Sequence, residues 1–203
     1  MSAIAAYRTA VLALLDDAAL ARYTNAQVDV ALLWALGQYS KARPVMRTYS
    51  ASGAGTYLIE LPSDFAADKI TDIYLDDGSD PPVSIAFTVK YVDESWYILT
   101  TERLLSASDD FVIIYDASQT IDGLASASGT TIPVADEWLI QIGAAGYAAR
   151  MRAVSRAESI NMQPEVRKQL QELAEAYLKD FNAGVKPVAG IQTITLPDPD
   201  DKF

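Results

Sequence analysis

Apolar residues recur at helical spacing toward the two ends of the chain and alternate with polar residues through its middle. Ile4, Val11, Leu12 and Leu15 share one face of a helix running from about Ala3 to Leu15. After Asp16-Asp17 and the alanine-rich stretch 18–21, Thr24-Asn25-Ala26-Gln27 has the form of a capping box. The Thr24 hydroxyl can accept from the amide three residues on, and the Gln27 side chain can reach back. Val28, Leu32, Leu36 and Tyr39 then predict a second helix to about Ala42. Pro44 stops it, because the residue before a proline is pushed out of the α region. Val30, Leu33 and Trp34 lie off that stripe, so this helix is apolar on more than one side. That predicts a central bundle position or a subunit contact.

Residues 45–116 read as antiparallel β. Six runs carry the pattern: Val45–Ser50, Thr56–Leu61, Lys69–Leu75, Val83–Val92, Trp96–Thr101 and Phe111–Tyr115. Gly53-Ala54-Gly55 between the first two is a hairpin signal, and Asp93-Glu94-Ser95 joins the fourth and fifth. The Ser/Ala/Gly/Thr-rich stretch Ala117–Thr131 predicts a mobile loop. No βαβ alternation occurs, which argues against a parallel nucleotide-binding sheet.

Helical spacing resumes near Asp136 with Trp138, Leu139 and Ile142, and Gly143 and Gly146 mark a face for close packing. Pro164 stands where a further helix would begin. Val166, Leu170, Leu173, Tyr177 and Phe181 form its amphipathic stripe, and Gly184 fits its C′ position. Trp34, Trp138 and Tyr177, spaced among Leu, Ile and Ala, are expected in the core. The tail from Val185 contains three prolines and a strand-like run, Ile191–Leu196, and needs a partner to pair with. The expected fold is α+β: a helical bundle formed by both chain ends, an inserted antiparallel β domain and an extended C-terminal tail. Its parts are residues 1–44, 45–134 (β domain plus loop), 135–184 and 185–203.

Charge follows the same division. Residues 1–47 hold five Lys/Arg and three Asp/Glu, residues 48–140 three and sixteen, and residues 141–203 eight and eight. The net charge of −11 disfavours general nucleic-acid binding, which needs cations to displace counterions from phosphates. Neither cysteine nor histidine occurs. Thiol nucleophiles, zinc ribbons, and Ser-His-Asp or Cys-His constellations are excluded with them. No serine is followed by lysine three residues on, so a Ser-x-x-Lys pair is excluded too. No stretch approaches the roughly 18 apolar residues of a membrane span, and no signal-peptide pattern opens the chain, so folding in a cytoplasm is expected.

The remaining candidates for chemistry are carboxylates. Asp76, Asp77 and Asp80 resemble an oxygen-rich cation loop but not in EF-hand spacing, and turns use the same residues. With so many acids in the middle, paired carboxylates of the glycosidase kind would arise by chance. Gly53-Ala54-Gly55-Thr56 lacks the lysine and the following helix of a P-loop. No catalytic, cofactor or metal residues are therefore assigned. The basic residues Arg43, Arg47, Arg150, Arg152 and Arg156, with Lys41, lie toward the helical ends. They fit either solvated helix ends or a docking surface for an acidic partner, including the acidic middle of a neighbouring copy. With Trp34 and the tail residues Ile191, Ile194, Leu196 and Phe203, they form the candidate subunit or partner interface.

The order of segments carries a resemblance. "ALLWALGQYSKARP" closes the N-terminal helices, "GTYLIELPSDF" and "ITDIYL" fall in the strands, and "EWLIQIGAAGYAARMRAVSRAES" and "PEVRKQLQELAEAYLKDFN" form the later helix pair. This layout resembles the head-to-tail connector (adaptor, or neck) proteins of tailed bacteriophages, including the tail-tubular-A-like and portal-docking adaptor groups. The resemblance implies a non-enzymatic virion subunit without cofactors, made in the host cytoplasm and placed at the neck. It implies a ring, commonly of twelve copies, that contacts the portal protein above and a further neck or tail protein below. DNA would pass through the lumen without sequence-specific binding, and no membrane is involved. The proline-containing tail departs from adaptors that end in a long portal-docking helix. Two alternatives stand beside this reading: a carboxylate-dependent hydrolase or carbohydrate-binding β module on a helical stalk, and a tail-completion or terminator protein.

Overall fold

Thr24 begins the second helix as its spacing to Gln27 predicts. Its hydroxyl accepts from the Gln27 amide at 3.3 Å, and its own amide donates to Gln27 Oε1 at 2.9 Å. Two of the amides that a helix start leaves without partners are thereby satisfied. The computed structural model describes residues 2–53, 55–61, 70–76, 82–93, 95–101, 105–155 and 164–186. It is mixed α+β, with four α-helices and antiparallel sheets. The chain divides into two units, one of Met1–Arg43 with Thr120–Phe203 and the other of Pro44–Gln119.

In the first unit, α1 (Ile4–Leu14) buries Tyr7, Val11 and Leu12, and α2 (Asn25–Ala42) buries Val28, Ala31, Leu32, Ala35, Leu36 and Tyr39. Arg8 clamps the two helices, placing Nε 2.7 Å and Nη2 2.6 Å from the two oxygens of Asp29. The connection between them turns on Asp17. Its carboxylate accepts from the amides of Ala21, Arg22 and Tyr23 at 3.1, 2.8 and 2.7 Å. Burial works against the Asp17 charge, but the three amides outweigh it and hold the carboxyl below its usual range. A 3₁₀ turn, Val134–Asp136, leads into α3 (Glu137–Ser155), and α4 spans Pro164–Gly184.

The buried face of α3 is made almost wholly of small residues: Gly143, Ala144, Ala145, Gly146, Ala148, Ala149 and Ala153. Small side chains let neighbouring helices come close, so larger residues can pack across them. Phe181 of α4 is fully buried and lies against Gly143, while Tyr177 and Leu178 lie against Gly146. Burying a side chain the size of Phe181 is worth about 1.5–3 kcal/mol. All four helices contribute to one apolar cluster, which also takes in Ile121, Leu124 and Ile132.

These last three residues correct the expectation of a mobile loop at 117–131. The segment is irregular, but its apolar side chains are buried and its turns are bonded. The Thr120 and Asp122 amides donate to the hydroxyls of Thr131 and Thr130 at 2.8 and 2.9 Å. The start of α1 is tied to the same segment by Ile4 N to Asp122 O at 2.9 Å. Gly184 is also corrected. It is the last residue of α4 and its φ is not positive, so it is no left-handed C′ residue. A Cβ there would overlap the Leu139 side chain, so close packing accounts for the glycine.

The second unit contains seven described strands: β1 (Val45–Ser52), β2 (Leu58–Glu60), β3 (Ile70–Leu75), β4 (Val83–Ser84), β5 (Phe87–Val92), β6 (Ser95–Thr100) and β7 (Asp110–Ala117). They form a four-stranded sheet in the order β1-β7-β3-β4 and a three-stranded sheet in the order β2-β6-β5. Inward residues of both sheets, among them Ile59, Ile73, Ile98, Phe111 and Ile113, share one apolar cluster.

Two strand expectations are overturned. The run Val83–Val92 is two strands, because Ile85 donates to Ile73 of the larger sheet while Ala86 accepts from Thr101 beside the smaller. The glycines at 53 and 55 do not close a hairpin, since β1 pairs with β7 and β2 with β6. They instead dock on the segment before β7, with Gly53 N to Asp109 O at 2.8 Å and Gly55 N to Leu105 O at 2.9 Å. The hairpin of β5 and β6 forms as expected, with Tyr91 opposite Trp96.

Candidate functional site

The carboxylates of the middle serve the backbone and nearby hydroxyls. Asp109 accepts from the Ser106 amide at 2.9 Å, Asp110 from the Ser52 hydroxyl at 2.6 Å, and Asp72 from the Ser84 hydroxyl at 2.8 Å. Asp77 and Asp80 of the acidic turn lie outside the described residues. Among the described residues no cluster of three or more acids has the spacing to hold a metal ion.

The basic candidates separate when placed. Arg43 ends α2 with Nη1 2.7 Å from Asp136 Oδ2 and Nη2 3.0 Å from the Gly184 carbonyl, so it joins α2, the 3₁₀ turn and the end of α4. The Tyr39 hydroxyl donates to the same Asp136 oxygen. Burial first, and then this bond, push the Tyr39 phenol up to about 12. Tyr7, also buried and near the Glu137 carboxylate, is raised in the same sense. Arg152 donates to the Arg22 carbonyl at 2.6 Å and lies 5.0 Å from the Tyr23 ring centroid, a cation–π contact. Arg43 and Arg152 thus hold the helical unit together internally.

Arg47 lies on β1 opposite Tyr115, in the β unit and not at a helix end. Arg150 is exposed on α3. Among the described residues no carboxylate lies within ion-pair distance of it. Arg156, Ile191, Ile194, Leu196 and Phe203 lie outside the described residues.

The aromatic candidates separate as well. Trp34 is half-buried and stacks on Tyr147 at 4.5 Å and 7°, with Phe181 at 5.8 Å beyond it. Tyr177 is half-buried and donates to the Leu14 carbonyl at 3.1 Å. Trp138 is not in the core. It is 53% exposed, because turning Leu139, Ile140 and Gly143 inward rotates the preceding residue to the solvent side.

The helical unit also leaves several large apolar residues uncovered: Val30 and Leu33 on α2, Val134 on the 3₁₀ turn, Trp138 at the start of α3 and Val154 near its end. The end of α3 forms a ridge of Tyr147, Met151 and Val154, stepping by four and three residues. With Arg150 and Ser155 it lines an open depression of about 440 Å³. In the β unit Met46, Tyr57, Leu58 and Val83 are exposed, and so are Tyr91, Val92 and Trp96 at the β5–β6 hairpin, each more than 40%. The Tyr91 and Trp96 rings lie 4.9 Å apart, tilted by 53°. Val30, Leu33, Trp34 and Arg150 carried a sequence signal, the first three by lying off the stripe of α2. Val134, Val154 and the hairpin residues carried none, since an exposed and a buried valine look alike until the elements are packed. Among the described residues no helix is long and apolar enough to cross a membrane. Comparison with known proteins returns no matching family model and no matching curated protein.

Proposed function

We propose that this protein is a structural, non-catalytic subunit of a bacteriophage head-to-tail adaptor ring, at the virion neck between capsid portal and tail. In this reading the two chain ends form one helical bundle, the β unit is an insertion in it, and the copies meet through the bundle. The portal protein and a downstream neck or tail protein take the two faces of the ring, and DNA passes through its lumen. The observation that supports the reading is the exposure of large apolar residues on several elements of the helical unit. Val30 and Leu33 on α2, Val134 on the 3₁₀ turn, and Trp138 and Val154 on α3 are each more than 40% exposed, and a subunit gripped from several sides needs several apolar surfaces. The layout of helices and strands along the chain supports it as well.

Negative-stain imaging of the purified chain, alone and mixed with portal rings, tests the reading. Rings, free or formed on the portal, are the expected result. A chain that stays monomeric and does not bind the portal overturns it.

A further inference from the structure

Two surfaces of this chain carry exposed apolar side chains beside opposite charges, and they lie on different units. One is convex: the tip of the β5–β6 hairpin, where Tyr91 and Trp96 face each other across the strands and Val92 leads into Asp93. The register puts Tyr91 and Trp96 on the same side as Val89 and Ile98, the side that forms the core further along the hairpin. The hairpin therefore carries its core-facing side beyond the core and presents two large rings to solvent. Their tilt makes a wedge, unlike the flat platform on which a sugar ring would stack.

The other surface is the shallow, open depression that borders the ridge of Tyr147, Met151 and Val154, with Arg150 at its side. Asp93 and Arg150 are opposite charges, and neither has an ion-pair partner among the described residues. The exposed tryptophan of the helical unit, Trp138, stands next to Glu137, whose charge would repel Asp93, whereas Arg150 on the ridge would attract it.

We propose that the hairpin tip of one copy seats on the α3 ridge of a second copy, with Tyr91 and Trp96 against Met151 and Val154 and Asp93 beside Arg150. This inference rests on the ring reading above in one respect, that copies of the chain meet. The contact is heterologous, tip to ridge, so each copy offers one of each and the chain of contacts closes into a ring or runs on. A single tip is smaller than the roughly 1,600 Å² of a standard stable interface. Pairs are therefore weak, and closure supplies the strength.

Sedimentation velocity on the full chain tests this. Trp96→Ala, Val154→Asp and Arg150→Glu, all at exposed positions, are each expected to weaken self-association by about tenfold or more, the range for losing a central anchor. Far-ultraviolet circular dichroism checks that each variant is folded. The decisive sample is an equimolar mixture of the Trp96→Ala and Val154→Asp chains, taken up to their solubility limit because an unclosed pair is weak. One copy then keeps a working ridge and the other a working tip, so heterodimers form and nothing larger. Three results overturn the proposal: a wild-type chain monomeric to its solubility limit, a Trp96→Ala chain that assembles like wild type, or a mixture that holds only monomers. Portal binding is measured separately. Tip-to-ridge assembly without portal binding keeps this inference and removes the adaptor reading, and portal binding by chains indifferent to these substitutions does the reverse.

Discussion

Gly143 of α3 lies directly beneath the ring of Phe181 of α4, so close that a Cβ on the glycine would come within 2.6 Å of Phe181 Cδ2. A ring buried this completely has little room to move, because its other side is covered, with Trp34 5.8 Å away. The small-residue face of α3 is thus a fitted surface.

Gly143→Ala therefore destabilises the protein by about 1–3 kcal/mol, the usual cost of forcing extra volume into a packed core. Alanine is the better helix former by up to about 1 kcal/mol, so the two effects oppose each other and the contact distance decides for the first. Urea unfolding reads the result as a lower midpoint at unchanged slope. A raised midpoint means that Phe181 yields and the fit is looser than the structure describes.

Thr24→Ala removes the hydroxyl that accepts from the Gln27 amide and leaves Gln27 without its reciprocal partner. The expected loss is about 1 kcal/mol. Thr24→Ser keeps the oxygen and stays within a few tenths of wild type. Equal stability of the alanine and serine variants in thermal unfolding would refute a role for the cap.

Alkaline pH acts through Tyr39. Its phenol is held up to about 12 by burial and by the bond to Asp136, against an ordinary value of 10.0. The unfolded chain loses this proton first, so the stability it contributes is complete below pH 10 and falls away as pH rises from there toward 12. Tyr39→Phe removes that dependence, and the buried Tyr7, shifted in the same direction, leaves part of the slope in place. The measurement is the urea midpoint as a function of pH, which should fall more steeply for wild type than for the variant. Parallel curves would count against the assignment.

The helices were legible because their determinants are local. The stripe Val28, Leu32, Leu36 and Tyr39, the pair Thr24 and Gln27, and the stop at Pro44 all lie within a few residues of what they control. Apart from the β5–β6 hairpin, strand pairing was not legible, because it is decided at a distance. Two β runs around Gly53 and Gly55 read as a hairpin, yet β1 finds its partner in β7, where Tyr49 stands opposite Ile113 and Ala51 opposite Phe111. The candidate surfaces divide in the same way. Arg43 looked like an exposed basic residue because Asp136, which takes its charge, is 93 residues away. Trp34 and Trp138 both read as core residues, yet packing sets Trp34 against Tyr147 and leaves Trp138 in solvent.

Val45, the first residue of β1, is the register partner of Ala117, the last of β7. The chain therefore comes into the β unit and leaves it at points about 5 Å apart. To the helices on either side, the unit is thermodynamically equivalent to a tight turn, whatever its own size, because its folding has already brought its two ends together. Its length and surface can drift, shrink or be exchanged for another module, provided the replacement also brings its entry and exit together.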